Sequence, residues 1–154
     1  AHQTLQPEQH RALAEAVMQS GGWVIGTFRQ AEQVEAFNQT YAGQGFACQL
    51  DVTDSGQITA MARTVTERFG RVDVLVNNAG YGFAGSIEEA SLAEIREVFE
   101  ANFFGAIAVT QAFLPLFRRQ QSGHIVQISS HSGFKGFAGF GVYGASKFAL
   151  EGAS

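Results

Sequence analysis

The chain has 154 residues, 45% of them hydrophobic and 16% charged, with a formal net charge of -4. That length suffices for one domain with a real core, taken here as residues 1–154, and the balance excludes a disordered chain. With only two lysines, Lys135 and Lys147, and no basic run, it offers no broad field for nucleic acid.

Cys48 is the only cysteine, which excludes an internal disulfide and a cysteine-based metal site. A reducing compartment, the cytoplasm, is the expected location. The apolar stretch from Phe99 to Phe117 is broken by Glu100, Asn102, Thr110, Gln111 and Pro115, so no membrane-spanning run is expected. No signal-peptide pattern opens the chain, and Ala1 stands where an initiator Met would.

In chain order, helices alternate with strands. "HRALAEAVMQS" carries Leu13, Ala16 and Val17 at helical spacing and stops at Gly21-Gly22. "WVIGTF" reads as a buried strand, "AEQVEAFNQTYA" as a helix and "GFACQLDV" as a second strand. "DSGQITAMARTVTERFG" starts with Asp54 as N-cap and Gln57 three later, then places Ile58, Met61, Ala62 and Val65 on one face. "VDVLVNNAG" is the third and clearest strand. "SLAEIREVFEANFFGAIAVTQAFLPLFRRQ" opens with Ser91 and Glu94 in capping-box spacing and reads as one long helix. "GHIVQISS" is the fourth strand, and a helix through "GVYGASKFAL" comes last. Strands separated by helices of this length imply right-handed crossovers and a parallel sheet covered on both faces.

In an open α/β sheet, ligands gather outside the carboxyl ends of the strands. Those ends are Thr27-Phe28-Arg29, Asp51-Val52, Asn77-Asn78-Ala79-Gly80 and Ser129-Ser130. Each alone has a plain reading as turn punctuation. Four suitable ends in register favour a binding edge.

Tyr143 and Lys147 are four apart and share a helix face. A free phenol has a pKa near ~10, and an ammonium nearby favours the phenolate and pulls that value down. The pair suits general acid–base work. For a bare Y-x-x-x-K the plainer reading, a surface Tyr and Lys, wins. Its surroundings shift the balance. Ser130 ends a strand thirteen residues before Tyr143, and Asn102 sits inside an apolar helix, where a buried amide needs a partner.

Taken together, "NNAG" (77–80), "EANFFGA" with Asn102, "VQISSHSG" with Ser130 and "YGASK" (143–147) closely resemble the short-chain dehydrogenase/reductase family, from about His10 to the last residue. The resemblance implies a Rossmann-like three-layer α/β sandwich and hydride transfer between an alcohol or carbonyl and a nicotinamide. It implies Tyr143 as catalytic acid/base, Lys147 holding the nicotinamide ribose, and Ser130 positioning the reacting oxygen. Asn102 would hold a water linking Lys147 to solvent. Asp51 and Val52 would contact the adenine, and Asn78, Ala79 and Gly80 would line the cofactor pocket beside Thr27. In this family the helices at 91–119 and 142–154 commonly pack between subunits, so a homo-oligomer is expected. An acid after the second strand binds the ribose of NAD, whereas an Arg accommodates the 2′-phosphate of NADP. Here "GTFRQAEQ" has Arg29 and no acid before Glu32, which favours NADP over NAD; the plainer reading is a solvated arginine at a helix start.

Two departures stand out. The family's T-G-x-x-x-G-x-G turn, which holds the pyrophosphate at a helix N-terminus, is replaced by "AHQTLQPEQHRALAEAV", without a glycine before Gly21. "AHQTLQPEQ" is polar and a poor strand. In the family's sheet order, 3-2-1-4-5-6-7, that strand is central, so the second and third strands are expected to lack a direct bond to the fourth and fifth. At the other end "KFALEGAS" reads as half a helix, and the strands after it are absent. The sequence is therefore expected to be part of a longer chain, or to have an N-terminus read in a shifted frame.

A non-catalytic fragment or pseudoenzyme of that family, acting only as a binding or oligomerisation module, is the alternative function. A serine hydrolase is poorly supported, lacking G-x-S-x-G. His131 follows Ser130 and points away from it on a strand, and His2, His10, His124 and His131 lack metal-ligand spacing. Phe134, Phe137 and Phe140, interleaved with Gly136, Gly139 and Gly141, form an apolar loop read as a substrate wall because it precedes Tyr143.

Overall fold

The computed structural model describes residues 2–4 and 7–154. In chain order the elements are β1 (His2–Thr4), α1 (Pro7–Gln19), β2 (Val24–Phe28), α2 (Ala31–Thr40), β3 (Gly45–Gln49), α3 (Ser55–Phe69), β4 (Val74–Asn77), β5 (Tyr81–Phe83), α4 (Leu92–Phe99), α5 (Gly105–Gln120), β6 (His124–Gln127) and α6 (Gly141–Gly152). A π-helical turn, Glu100–Phe104, joins α4 to α5, and a 3-10 turn, His131–Gly133, follows β6.

The strands form a Rossmann-like parallel arrangement in two pieces. β2 runs parallel to β3, with Val24 opposite Gly45 and Phe28 opposite Gln49. β4 runs parallel to β6, with Val74 opposite His124 and Asn77 opposite Gln127. Among the described residues no backbone pairing joins β2 to β4. This is the break expected where the chain offers no central Gly-turn strand.

Period-two alternation decides which helices cover which face. On β2 and β3, Gly26, Gly45 and Ala47 face α2. Phe37 of α2 lies so near that a Cβ at Gly45 would stand 3.0 Å from its ring. Asn38 of α2 clasps Ala47, accepting from its N–H at 2.8 Å and donating to its carbonyl at 3.3 Å. The alternate residues, Ile25 and Cys48, face the other way with Leu50, into a core built by Ile58, Met61 and Val65 of α3 and Val109, Phe113, Leu116 and Phe117 of α5. Leu75 of β4 enters the same core. Helices α3 and α5 therefore bridge the two strand pairs by side-chain packing. Each fully buried large apolar side chain contributes about 1.5–3 kcal/mol there. On the uncovered side the apolar residues stay open: Val74 is 51% exposed and Val126 40%. The expectation of strands buried on both faces is corrected by this. On the β4–β6 pair, the face turned away from α5 is only partly covered.

Local signals account for the helix ends. Asp54 caps α3, its carboxylate accepting from the Gln57 N–H at 3.0 Å and the Gln57 side-chain amide at 3.1 Å. Gly70, at φ +68°, closes it in the left-handed region. Ser91 and Glu94 form the expected capping box of α4. Pro7 opens α1 at the first helical position, where its missing N–H costs nothing.

Three readings are corrected. "AHQTLQPEQ" does supply a strand, His2–Thr4, which pairs antiparallel with β5 through His2 opposite Phe83. Ladder bonds are backbone bonds, so an open strand edge accepts a polar partner. The long helix from residue 91 is not one α-helix, because the π turn interrupts it. Finally, the helical run Leu92–Gln120, 29 residues, is long and apolar enough by length and composition to cross a membrane. Its apolarity has a use inside the fold, where Val98, Val109, Phe113 and Leu116 are almost wholly buried.

Candidate active site

The carboxyl ends of β2, β3, β4 and β6 lie on one edge, and each is fixed by its own bonds. Leu50 N–H donates to Phe28 O at 2.8 Å, aligning the ends of β2 and β3. The Asp51 N–H donates to the Gln57 side chain at 2.8 Å. The Asp51 carboxylate accepts from the Thr53 N–H at 2.9 Å and hydroxyl at 2.7 Å. These bonds, with a smaller contribution from the Arg29 charge, hold Asp51 below the usual carboxylate range. Arg29 also acts on Tyr81, which follows β4. One guanidinium therefore influences both sides of the gap between β2 and β4. Burial, with the charge of Glu97, pushes the Tyr81 phenol up despite Arg29.

At the β4 end Asn77 is buried and faces α5, donating to the Thr110 hydroxyl at 2.9 Å and the Ala106 carbonyl at 3.3 Å. Its own carbonyl accepts from the Ile128 N–H at 2.9 Å, which extends the β4–β6 pairing by one residue. Asn78 and Gly80 are half-buried and Ala79 is exposed. Thr27 is exposed on β2.

Helix α6 carries Tyr143 and Lys147, both buried, at 7% and 2% exposure. The Lys147 ammonium donates to the Ile128 carbonyl at 2.8 Å, which ties α6 to the end of β6. Burial pulls Lys147 below the ordinary lysine range. Among the described residues its ammonium is in salt-bridge contact with no carboxylate. The 131–133 turn packs on α6 so closely that a Cβ at Gly144 would stand 3.1 Å from Ser132 O. Ser130, the cap of that turn, accepts from the Ser132 N–H at 3.2 Å and is thereby held beside α6. Ser129 Oγ is buried without a partner under Gly133. His131 turns its ring edge-on to Phe137, with centroids 5.1 Å apart.

Asn102 lies in the π turn, wholly buried. Its amide pairs with both backbone groups of Tyr81, accepting from the N–H and donating to the carbonyl, each at 2.9 Å. It also donates to the Ser146 hydroxyl at 3.1 Å, and Ser146 donates to the Tyr143 carbonyl at 2.7 Å. The buried amide thus finds its partners in β5 and α6. Gly80, at φ +155°, is needed beside it: a Cβ there would stand 2.6 Å from Asn102 Oδ1. Asn102→Ala is expected to cost about 2–4 kcal/mol, because it strands three polar groups, measured as a lower urea midpoint.

Sequence reading missed the π turn and Ser146. The buried positions Val98, Ala101, Asn102, Gly105, Ala106 and Val109 keep ordinary helical spacing, so nothing in the pattern marks the extra residue. The turn separates two packing duties. Ile95 and Val98 serve the small core under Tyr143, and Val109 and Phe113 serve the large one under the strands. Such turns concentrate at functional sites.

These groups suit the nicotinamide half of a dinucleotide. A desolvated ammonium with one carbonyl partner has two donors left for ribose hydroxyls, and phenol and serine hydroxyls are held on neighbouring elements. For the pyrophosphate the chain shows no Gly-rich turn, with no glycine before Gly21.

The chain is similar to known proteins in sequence and fold. A family model described as short chain dehydrogenase matches residues 10–154. The chain is 39% identical over 144 residues to "Oxidoreductase BOA17" of Botryotinia fuckeliana, covering 93% of this chain and 53% of that protein. It is 44% identical over 133 residues to human "Retinol dehydrogenase 8", covering 84% and 42%. The crystal structure of a short-chain dehydrogenase from Streptomyces avermitilis superposes with a TM-score of 0.89 at 46% identity, covering 94% of this chain and 53% of that one. A structure titled "ElxO with NADP Bound" superposes at 0.87 and 28% identity, covering 94% and 60%. The chain spans about half the length of the curated relatives it matches.

Proposed function

This chain belongs to the short-chain dehydrogenase family, and from that premise we propose that it interconverts an alcohol and a carbonyl by hydride transfer with NADP(H), Tyr143 serving as acid/base. A bound nicotinamide supplies the hydride acceptor or donor. Tyr143 gives a proton to the substrate oxygen or takes it. Ser130 hydrogen-bonds that oxygen and fixes its place. Lys147 holds the nicotinamide ribose and offers positive charge one helical turn from Tyr143. Asn102 anchors α6 to β5 through Ser146. A water relay to Lys147 has to run through groups other than the Asn102 amide hydrogens, which Tyr81 and Ser146 take. Thr27, Arg29, Asp51, Val52, Asn78, Ala79 and Gly80 line the cofactor edge.

The observation that carries this reading is the buried Lys147 ammonium on the helix of Tyr143, held on a carbonyl at 2.8 Å. Burying such a charge costs stability, which a cofactor-binding role explains. The test is NADPH oxidation with a panel of carbonyl compounds, followed as loss of nicotinamide absorbance. Turnover abolished by Tyr143→Phe supports the reading; turnover untouched by it defeats the reading.

Arg29 supports NADP over NAD, because a guanidinium matches a phosphate in charge and geometry. Arg29→Glu is expected to weaken NADPH binding about 10–100-fold relative to NADH, read from fluorescence titrations with both. An unchanged ratio rules out 2′-phosphate recognition by Arg29.

Leu92 at the start of α4 (68%), Phe104 in the π turn (50%) and Phe148 on α6 (47%) are exposed. These support a homo-oligomer built through the helices at 91–119 and 142–154. The cytoplasm is the proposed compartment. One observation favours the alternative of a non-catalytic module: β2–β3 and β4–β6 share no backbone bond.

A further inference from the structure

We propose that Gly133 is a positioning residue: by carrying no side chain it lets the 131–133 turn seat on α6 and, with the Ser129 hydroxyl beneath it, sets the reach between Ser130 and Tyr143. The proposal rests on the reading of those two residues as the groups that handle the substrate oxygen.

Gly133 is buried, and its backbone is not in the left-handed region. An alanine can adopt the same conformation, so it is space that calls for glycine here. A Cβ at Gly133 would stand 2.6 Å from Ser129 Oγ, 3.3 Å from Glu151 Cγ and 3.3 Å from the Lys147 carbonyl oxygen. Ser129 belongs to the segment that follows β6, and Glu151 and Lys147 belong to α6. One added methyl group therefore presses on both walls of the joint at once, and a close-packed interior passes such a push on.

The push has a defined path to the reacting groups. The Gly133 N–H donates to the Ser130 carbonyl at 2.8 Å, and the Ser132 N–H donates to Ser130 Oγ at 3.2 Å. The turn is thus stiff, and a displaced Gly133 carries Ser130 with it. On the helix side the turn meets Gly144, the neighbour of Tyr143, through Ser132 O. Lys147 is held at two points: its ammonium bonds the Ile128 carbonyl at 2.8 Å, and its own carbonyl lies under Gly133.

Ser129 Oγ is buried and has no hydrogen-bond partner among the described residues. A buried hydroxyl left unbonded costs stability, and alanine would avoid that cost. The oxygen instead fills the place where Gly133 lacks a carbon. Serine below and glycine above form one complementary pair that fixes how closely the turn approaches α6.

The test labels the chain's three tyrosines, Tyr41, Tyr81 and Tyr143, with 3-fluorotyrosine and reads them by fluorine NMR. Urea midpoints and NADPH oxidation on the carbonyl panel are measured alongside. The variants are Gly133→Ala, Ser129→Ala and the two combined, and Tyr143→Phe assigns the Tyr143 signal. In the double variant the new methyl group takes the space that the serine oxygen leaves. Gly133→Ala is expected to shift the Tyr143 signal, to leave the Tyr41 signal at the end of α2 in place, and to lower turnover about 10²-fold. The double variant should return the Tyr143 signal, with turnover within about threefold of Ser129→Ala alone. A lower urea midpoint with the Tyr143 signal of the folded chain unmoved means packing only and overturns the proposal. So does a shifted signal that the second substitution does not restore. If Gly133→Ala does not fold, the double variant decides: a folded chain with the Tyr143 signal of Ser129→Ala supports the joint, and an unfolded one overturns it. A signal that shifts and returns in a chain that reduces no carbonyl leaves the joint standing and defeats the enzyme reading. Turnover that needs Tyr143 but ignores Gly133→Ala leaves the enzyme reading standing and overturns the joint.

Discussion

Tyr143→Phe is expected to lower kcat/KM for carbonyl reduction by about 10²–10⁴, the range that a positioned proton donor contributes. The substitution removes one oxygen and leaves the ring. That ring is 7% exposed and packs with Phe83, Val98 and Val142. Stability should therefore change by less than about 1 kcal/mol, and affinity for NADPH should hardly move. The measurement pairs steady-state rates with a urea titration and a cofactor titration. A rate loss with both titrations unchanged places the effect on the proton. Equal loss of stability would reduce Tyr143 to a core residue.

Lys147→Met is expected to lower activity by about 10²-fold or more while raising stability at pH 7 by on the order of 1 kcal/mol. Methionine fills nearly the same volume without the buried charge, and the lost bond to Ile128 O offsets part of the gain. The pH dependence gives the sign. Burial holds the Lys147 pKa below its ordinary value of 10.5, so the folded chain binds this proton less tightly than the unfolded one. The penalty is complete below the folded value. Stability then rises with pH between that value and 10.5, because the unfolded chain carries more protons across that window. The advantage of the methionine variant should shrink as pH climbs through it. Urea midpoints of both proteins from pH 7 to 10.5 check this. A wild-type chain more stable than the variant at pH 7 would assign Lys147 a structural role.

Much of the fold was legible because its elements have local causes. Asp54 with Gln57, and Ser91 with Glu94, announce two helix starts, and the structure shows both sets of bonds. "VDVLVNN" and "GHIVQIS" read as strands from their apolar runs, and they pair in parallel register. The missing central strand was legible as an absence of glycine, and the sheet is split at that point. The illegible features are relations between distant segments. No residue near His2 reveals that its backbone will meet Phe83. The π turn leaves the burial spacing intact, so periodicity is blind to it. Ser146 looked like a small residue between Tyr143 and Lys147, and only the fold brings Asn102 to its hydroxyl. At the candidate site, Tyr143, Lys147 and Ser130 stood out by residue type and spacing. What Lys147 holds, Ile128 O, is set by tertiary packing and has no sequence signal.

The central claim is that the buried Lys147 marks a nicotinamide site. It is tested most directly by titrating the chain with NADPH and following nicotinamide fluorescence, with Lys147→Met alongside. The account predicts saturable binding that the variant loses. Binding of equal strength in both proteins, or no saturable binding to the wild-type chain, would contradict it.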